Sequence, residues 1–421
     1  MMSGATEDEP ESRCSDLFRS EHLQEYLGRV VETLGIRSPK FCVTLGSKVG
    51  DNYAGVIYRV EIEGQSNGVP VKIQTIFKIP PTNEIVREIM QIEHLFLREH
   101  EFYSEIVPIF KEFLQAHRKT LGNIPECYFS TSIDHKEAIC MEDLQSKGFV
   151  MRDRIKQLDF AHASLVLRAL GRFHAVSFGL RDQKQEVFAS KISHHKEPLF
   201  RPDVVQHPSF IERCEILENL VKMALADEDP RYTKRFTEFR KAVTYDDFAC
   251  PFTGCNAEPY AVLNHGDLWT NNLLFKYDED HGEPQDLYFL DFQSVRYVSP
   301  AIDISYVLFC SCNQELRNRH FDELIKIYHE SLSAYLYELG SEPQKLFPYE
   351  ELLRQMRKFS TSTGITAMMV LPAFTSQGDD VKAFEALNSD IADSEDRIQR
   401  DYFWRNTLRD TYKDLIDRNY I

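Results

Sequence analysis

The sequence predicts an α+β chain in two parts, a small five-stranded antiparallel unit followed by a large helical one. Three observations predict it. Alternating apolar and polar residues are confined to the chain before about residue 143, and apolar stripes at helical spacing dominate after Gly148. A polar, acidic stretch precedes both. Residues 1–18, rich in Glu, Ser and Asp with almost no apolar periodicity, read as a flexible tail. Residues 19–143 then form the first lobe and 144–421 the second, with a hinge near residue 143.

In chain order, Leu23, Tyr26, Leu27, Val30, Val31 and Leu34 recur at helical spacing and predict a helix over 23–34. Phe41–Leu45, Gly55–Ile62 and Val71–Ile79 read as strands, with the polar run Glu63–Gly68 as the turn of a hairpin. Residues 85–113 read as mainly helical. Cys127–Ser130 and Glu137–Met141 complete five strands. Beyond them, 160–180, 321–339, 349–374 and 393–420 read as helices, with Val166, Leu170, Phe173 and Val176 forming the stripe of the first.

Composition removes several classes of function. The 421 residues carry a net charge of −17, which opposes nucleic-acid binding, since phosphate backbones need clustered Lys and Arg. Nine cysteines at irregular spacing, with no secretory signal before them, predict free thiols rather than disulfides and offer no zinc-finger pattern. No apolar run approaches the ~20 residues that a membrane helix needs. The expectation is a cytoplasmic protein with neither membrane nor nucleic-acid partner.

Two loops carry the chemistry. Tyr260–Asn264 is a short apolar strand that runs into His265-Gly266-Asp267-Leu268-Trp269-Thr270-Asn271-Asn272. Phosphoryl transfer needs a carboxylate beside the acceptor hydroxyl and an amide oxygen on a metal one loop-turn away, and Asp-x4-Asn supplies both. Taken alone, the octet has a rival reading as an Asx-rich β-turn. The strand Leu287–Leu290 then ends at Asp291-Phe292-Gln293, a second carboxylate at a strand end. Hard oxygens from Asn272 and Asp291 suit Mg²⁺. Asp303 is expected to open a helix, either as its N-cap or as a hydrogen-bond acceptor for the catalytic-loop backbone.

At the other end, Gly46-Ser47-Lys48-Val49-Gly50-Asp51-Asn52-Tyr53-Ala54-Gly55 joins two strands with residues small enough for backbone N–H groups to approach phosphates. It does not fit G-x-x-x-x-G-K-[ST], so a P-loop NTPase is disfavoured. Lys78 lies in the apolar strand 73–79 and needs a partner or a phosphate. Glu99 is the candidate partner, with Glu101 and Glu105 as alternatives on spacing.

The ordered set of the Gly46-Ser47 loop, Lys78, Glu99-x-x-Phe102-Tyr103, Met141-Glu142-Asp143-Leu144, Leu170-Gly171-Arg172-Phe173-His174-Ala175, His265 to Asn272 and Asp291-Phe292-Gln293 resembles the ecdysteroid-kinase-like family. That family belongs to the choline-kinase and aminoglycoside-phosphotransferase group. The likeness runs over roughly residues 25–420. It implies a bilobal protein-kinase-like fold and a kinase that uses ATP and Mg²⁺. By resemblance, Asp267 orients or deprotonates the acceptor hydroxyl, Asn272 and Asp291 bind Mg²⁺, and Lys78, held by Glu99, contacts the α/β-phosphates. Gly46, Ser47 and Asn52 belong to the loop covering the phosphates. Met141, Glu142 and Leu144 form the adenine hinge, through the Glu142 carbonyl and the Leu144 N–H. The implied acceptor is an alcohol: an ecdysteroid, a related steroid or a xenobiotic. A choline- or ethanolamine-type kinase and a non-catalytic small-molecule binder are the rival readings. Asp-Phe-Gln in place of Asp-Phe-Gly, and the missing Ala-Pro-Glu word, argue against a protein kinase. Residues 181–255 and 349–377 are the expected acceptor walls. Within them, the run Met368-Met369-Val370-Leu371, with Phe374, lines a pocket or fills core, core being favoured.

Overall fold

The computed structural model describes residues 21–46, 56–89, 91–153, 155–244, 248, 250–278, 280, 282–375 and 402–421. The expected tail, Ser47 and Asn52 lie outside them. The chain divides into two compact units, Met1–Ser104 with Pro125–Gly148, and Glu105–Ile124 with Phe149–Ile421.

The first unit is built on one antiparallel sheet of order β1-β2-β3-β5-β4: β1 Arg37–Leu45, β2 Val56–Ser66, β3 Val69–Ile79, β4 Cys127–Thr131 and β5 Ala138–Glu142. The turn joining β2 and β3 is tighter than the expected run 63–68. It is Asn67-Gly68 alone, with φ of 52° and 79°, and the pair Asn-Gly is suited to a two-residue turn because both positions need positive φ. The helix Glu21–Thr33 lays Leu23, Tyr26, Leu27, Val30 and Val31 onto Val60, Ile62, Phe77, Ala138 and Cys140. Its apolar stripe is the one legible in the sequence, and the Tyr26 hydroxyl, at the polar end of an otherwise buried ring, donates to the Lys136 carbonyl at 2.8 Å.

The stretch 85–113, expected to be mainly helical, is so in separate segments. It comprises Glu84–Ile89, Ile92–Glu101 and Val107–Ala116, with a left-handed residue at Gln91 and a π-helical turn at Phe102–Ile106.

In the second unit, the helices Phe160–Gln183 and Gln314–Glu338 pack along each other. The Asn313 side chain accepts from the Leu316 N–H at 2.8 Å, an N-cap that starts the second helix seven residues before its apolar stripe shows in the sequence. Their contact is close: a Cβ on Gly171 would sit 2.6 Å from the Tyr328 carbonyl oxygen. Arg172, beside it, is exposed. The expected helix over 349–374 divides at Ser360 into Tyr349–Phe359 and Thr361–Thr375, and the last helix is Tyr402–Asp417. Three small strand pairs carry the loops of interest. β6 Val150–Met151 pairs with β8 Leu273–Tyr277, β8 with β9 Pro284–Phe289, and β7 Val262–Asn264 with β10 Arg296–Val298. Among the described residues, no helix is long and apolar enough to cross a membrane.

Because no flexible side-chain end can yield at Gly171, Gly171→Ala is expected to destabilise the protein by about 1–3 kcal/mol. Thermal unfolding checks this as a lowered midpoint.

Candidate active site

In the first unit, β3 ends with Lys78 and the helix Ile92–Glu101 carries Glu99. Lys78 Nζ lies 2.7 Å from Glu99 Oε2, with side chains 4% and 0% exposed. The ammonium also sits 5.5 Å from the centroid of the Phe96 ring. Of the three glutamates that spacing left open, Glu99 meets the lysine. Glu101 pairs with Arg98, and Glu105 with Lys191 of the second unit's own helices. A charge pair this deep adds little net stability over well-packed apolar residues, while loss of either partner would leave the other charge buried and unpaired.

Met141, Glu142 and Leu144 are all buried at the end of β5. The Glu142 N–H donates to the Glu126 carbonyl at 2.9 Å, and Glu142 Oε1 accepts from the Glu126 N–H at 2.9 Å. Between Glu142 and Leu144, Asp143 is fixed by its N–H on the Gln74 carbonyl, by Gln145 N–H on its Oδ1 and by an ion pair with Arg59. Gly46 closes β1 with its N–H on the Ile57 carbonyl at 2.8 Å.

In the second unit, β7 delivers His265-Gly266-Asp267 and β9 delivers Asp291. Gly266 has φ 90°, and a Cβ there would lie 2.2 Å from the Ser294 carbonyl oxygen, so only glycine fits this turn. Asp303, completely buried near the start of the helix Ala301–Tyr306, takes the His265 N–H on Oδ2 at 2.7 Å and the Gly266 N–H on Oδ1 at 2.9 Å. Of its two expected roles the structure shows the second, as acceptor for the loop backbone. His174 Nε2 lies 3.3 Å from the same Oδ2, and the Tyr328 hydroxyl 2.8 Å from His174 Nδ1. Burial opposes the charge on Asp303, but the hydrogen bond from His174 and the positive fields around it outweigh burial and hold the carboxyl below its ordinary range.

His265 accepts the Asp267 N–H on Nδ1 at 3.2 Å and donates from Nε2 to the Leu290 carbonyl at 2.9 Å. Burial lowers its pKa, in keeping with that neutral tautomer. His265 thus links its own loop to the residue before Asp291. A second link runs from the Leu290 N–H to the Asn272 carbonyl at 2.9 Å.

Asp267 is gripped on both oxygens. The Tyr306 hydroxyl donates to Oδ1 at 2.6 Å, while Asn272 Nδ2 donates to Oδ2 at 3.0 Å and to the Asp267 carbonyl at 2.9 Å. Burial pushes the Asp267 carboxyl up to about 6, the Asp291 charge adds to this, and the hydrogen bonds from Tyr306 and Asn272 pull it back. Burial and the adjacent carboxylate likewise raise the Tyr306 hydroxyl well above its ordinary value. Asp291 itself has φ 65° and ψ 71°, a left-handed conformation that costs a non-glycine residue energy.

The donor set fits Mg²⁺. With its amide nitrogen committed to Asp267, Asn272 has its oxygen left to ligate, and Asp291 adds a carboxylate on a loop tied to it. Among the described residues, no group of three His, Cys, Asp or Glu side chains is placed to hold a metal. These two oxygens would therefore share the ion with phosphate and water.

Tyr306 is the site residue that motif reading passed over. It follows Asp303 by one helical step of three, the spacing that sets two side chains on one face, and that was the available signal. In the expected acceptor wall, Met368 and Leu371 are completely buried whereas Met369, Val370 and Phe374 are partly exposed. Phe374 stacks on Trp269, two residues from Asp267, with centroids 3.9 Å apart and planes at 10°.

A family model described as ecdysteroid kinase-like matches residues 49–341, well over half of the chain. The chain belongs to the ecdysteroid kinase-like family. Membership makes it a small-molecule kinase of protein-kinase-like fold, with the five-stranded antiparallel sheet and the helical C-terminal part described above. Among solved structures, this ecdysteroid kinase-like chain is similar to the GDP complex of a point mutant of aminoglycoside 2′-phosphotransferase-IIIa. Identity is 13%, coverage is 94% of this chain and 99% of that one, and the TM-score is 0.41. No curated protein matches it.

Asp303 is expected to be indispensable to the loop. Asp303→Asn places an N–H donor against a backbone N–H and removes a buried charge, at a cost of about 3 kcal/mol. A carboxyl held below its ordinary value of 3.8 contributes stability above that value and loses it as pH falls through the lower, folded-state pKa. Thermal unfolding of wild type and variant should therefore differ at neutral pH and converge only below pH 3.8.

Proposed function

We propose that the chain is an ATP- and Mg²⁺-dependent kinase that transfers the γ-phosphate to a hydroxyl of an ecdysteroid or a related steroid or xenobiotic. Its corresponding place is a cytoplasmic conjugation or detoxification step. Nucleotide binding falls to residues 19–143, and the catalytic, metal and acceptor roles to 144–421. The observation that carries this reading is the two-sided grip on Asp267 beside Asp291, on loops joined through His265 and Leu290. Family membership supports the reaction class.

Asp267 orients the acceptor hydroxyl and takes its proton as the oxygen becomes a nucleophile. Asn272 and Asp291 would hold Mg²⁺, which when bound neutralises charge on the phosphate oxygens. Lys78, kept in place by Glu99, contacts the α/β-phosphates, and backbone groups of Gly46, Ser47 and Asn52 cover them. The Glu142 carbonyl and Leu144 N–H take the adenine edge, beside Met141. Phe374, partly exposed and stacked on the buried Trp269, would contribute to the acceptor wall.

Incubating the purified protein with labelled ATP and ecdysteroids, choline, ethanolamine or plant secondary metabolites tests the proposal. Label is expected on a steroid. Transfer to choline alone would replace the substrate assignment, and no transfer to any small molecule would favour a binder over an enzyme. Asp267→Asn is expected to lower turnover by about 10²–10⁴-fold while nucleotide affinity stays nearly unchanged. Wild-type turnover in that variant would remove Asp267 from its role.

A further inference from the structure

Residues 301–311 run along the catalytic loop and engage its residues in order. Asp303 takes the N–H groups of His265 and Gly266, Tyr306 donates to Asp267 Oδ1, and Ser311 Oγ donates to the Leu268 carbonyl at 3.0 Å. Backbone form makes this succession possible. In an α-helix five residues sweep about 500°, which leaves positions i and i+5 about 140° apart around the axis. Ala301–Tyr306 is α-helical, but Val307–Ser311 is a π-helical turn. Its i→i+5 bonding returns those two positions towards one face. Tyr306 and Ser311 therefore reach the same loop. The far end of the turn is anchored by the Leu158 N–H on the Ser311 carbonyl at 2.8 Å.

We propose that Tyr306 is the positioning residue for the proton-accepting carboxylate, a role that rests on the assignment of Asp267 as the group facing the acceptor hydroxyl. The two oxygens of Asp267 are held by different kinds of neighbour. Asn272 belongs to the same loop and moves with it. Tyr306 belongs to a separate helix, which the fully buried Asp303 fastens in place. Through its hydroxyl the carboxylate is referenced to the body of the second unit rather than to its own loop. The bond is of the short O–H···O⁻ kind, the strong class of hydrogen bond. Tyr306 is 4% exposed, so bulk water does not compete for it. Without that hydroxyl the carboxylate keeps one anchor and turns about its Cβ–Cγ bond. A reacting group displaced by about an ångström loses on the order of a hundredfold in rate.

Tyr306→Phe keeps the ring and its packing and deletes only the hydroxyl. Steady-state kinetics on the full chain, with an acceptor identified in the labelled-ATP screen, are expected to show kcat lowered about 10- to 100-fold. KM for ATP and for the acceptor should stay within about twofold, because neither is bound by Tyr306. An unchanged kcat in a protein whose wild type turns over would overturn this inference and leave the kinase reading standing. Absence of turnover in the wild type would instead overturn the kinase reading and the role together. The contact is read independently of activity by thermal unfolding of Tyr306→Phe, Asp267→Ala and the double variant. A midpoint penalty for Tyr306→Phe that disappears in the Asp267→Ala background supports the pairing, and additive penalties overturn it.

Discussion

A single buried carboxylate holds the 265–272 loop in shape. Asp303 has no exposure to solvent and spends both oxygens on consecutive backbone N–H groups, those of His265 and Gly266. Both residues lie just past the end of β7, and a loop that turns through a left-handed glycine has no regular ladder to rely on. The charge is tolerated because His174, itself braced by Tyr328, lies against it. These residues belong to the long packed helices, so the accuracy of the loop is inherited from the helical core. Gly171 enters the same chain of dependence, since its missing Cβ lets the backbone around Tyr328 come close.

From that anchor the chemistry is assembled by short polar links rather than by apolar packing. His265, neutral because it is buried, passes the geometry of one loop to the next through Leu290. Asn272 does so a second time, through its carbonyl on Leu290 N–H and its amide on Asp267. Moving any one member displaces two others. The first unit uses a simpler device, a lysine and a glutamate with almost no solvent between them, and there the alternatives Glu101 and Glu105 are removed by helix direction rather than by distance along the chain.

The loops were legible in the sequence because each is bounded by a strand end and constrained by backbone chemistry. Gly266, Asp267 and Asn272 are spaced by a turn that leaves little freedom, and Asp291 closes an apolar run. The sheet was legible for a related reason: period-two alternation survives in β2 and β3. What could not be read were departures from regular helix. The breaks at Gln91 and Ser360 are not marked by proline, and the π-helical turn at 307–311 leaves no compositional trace, whereas the one at 102–106 is followed by Pro108. Tyr306, in the regular helix just before the second of these turns, escaped for a different reason. A tyrosine in an apolar helix reads as core until its hydroxyl is seen to meet a carboxylate. Even the hairpin turn was narrower than its polar composition suggested, because strand pairing extends across Glu63–Ser66 despite their polarity.

The widened turn at Val307–Ser311 also bears on how this segment can change over evolutionary time. Its side chains are apolar or small, and only Ser311 meets the loop through a side-chain hydrogen bond, so the turn's contribution rests on its length. Loss of one residue would restore the ordinary helical register and swing Ser311 away from Leu268, with no alteration in any residue that a motif would flag. Across residues 301–311 the loop contacts depend on the count of residues as well as on the identities of Asp303, Tyr306 and Ser311.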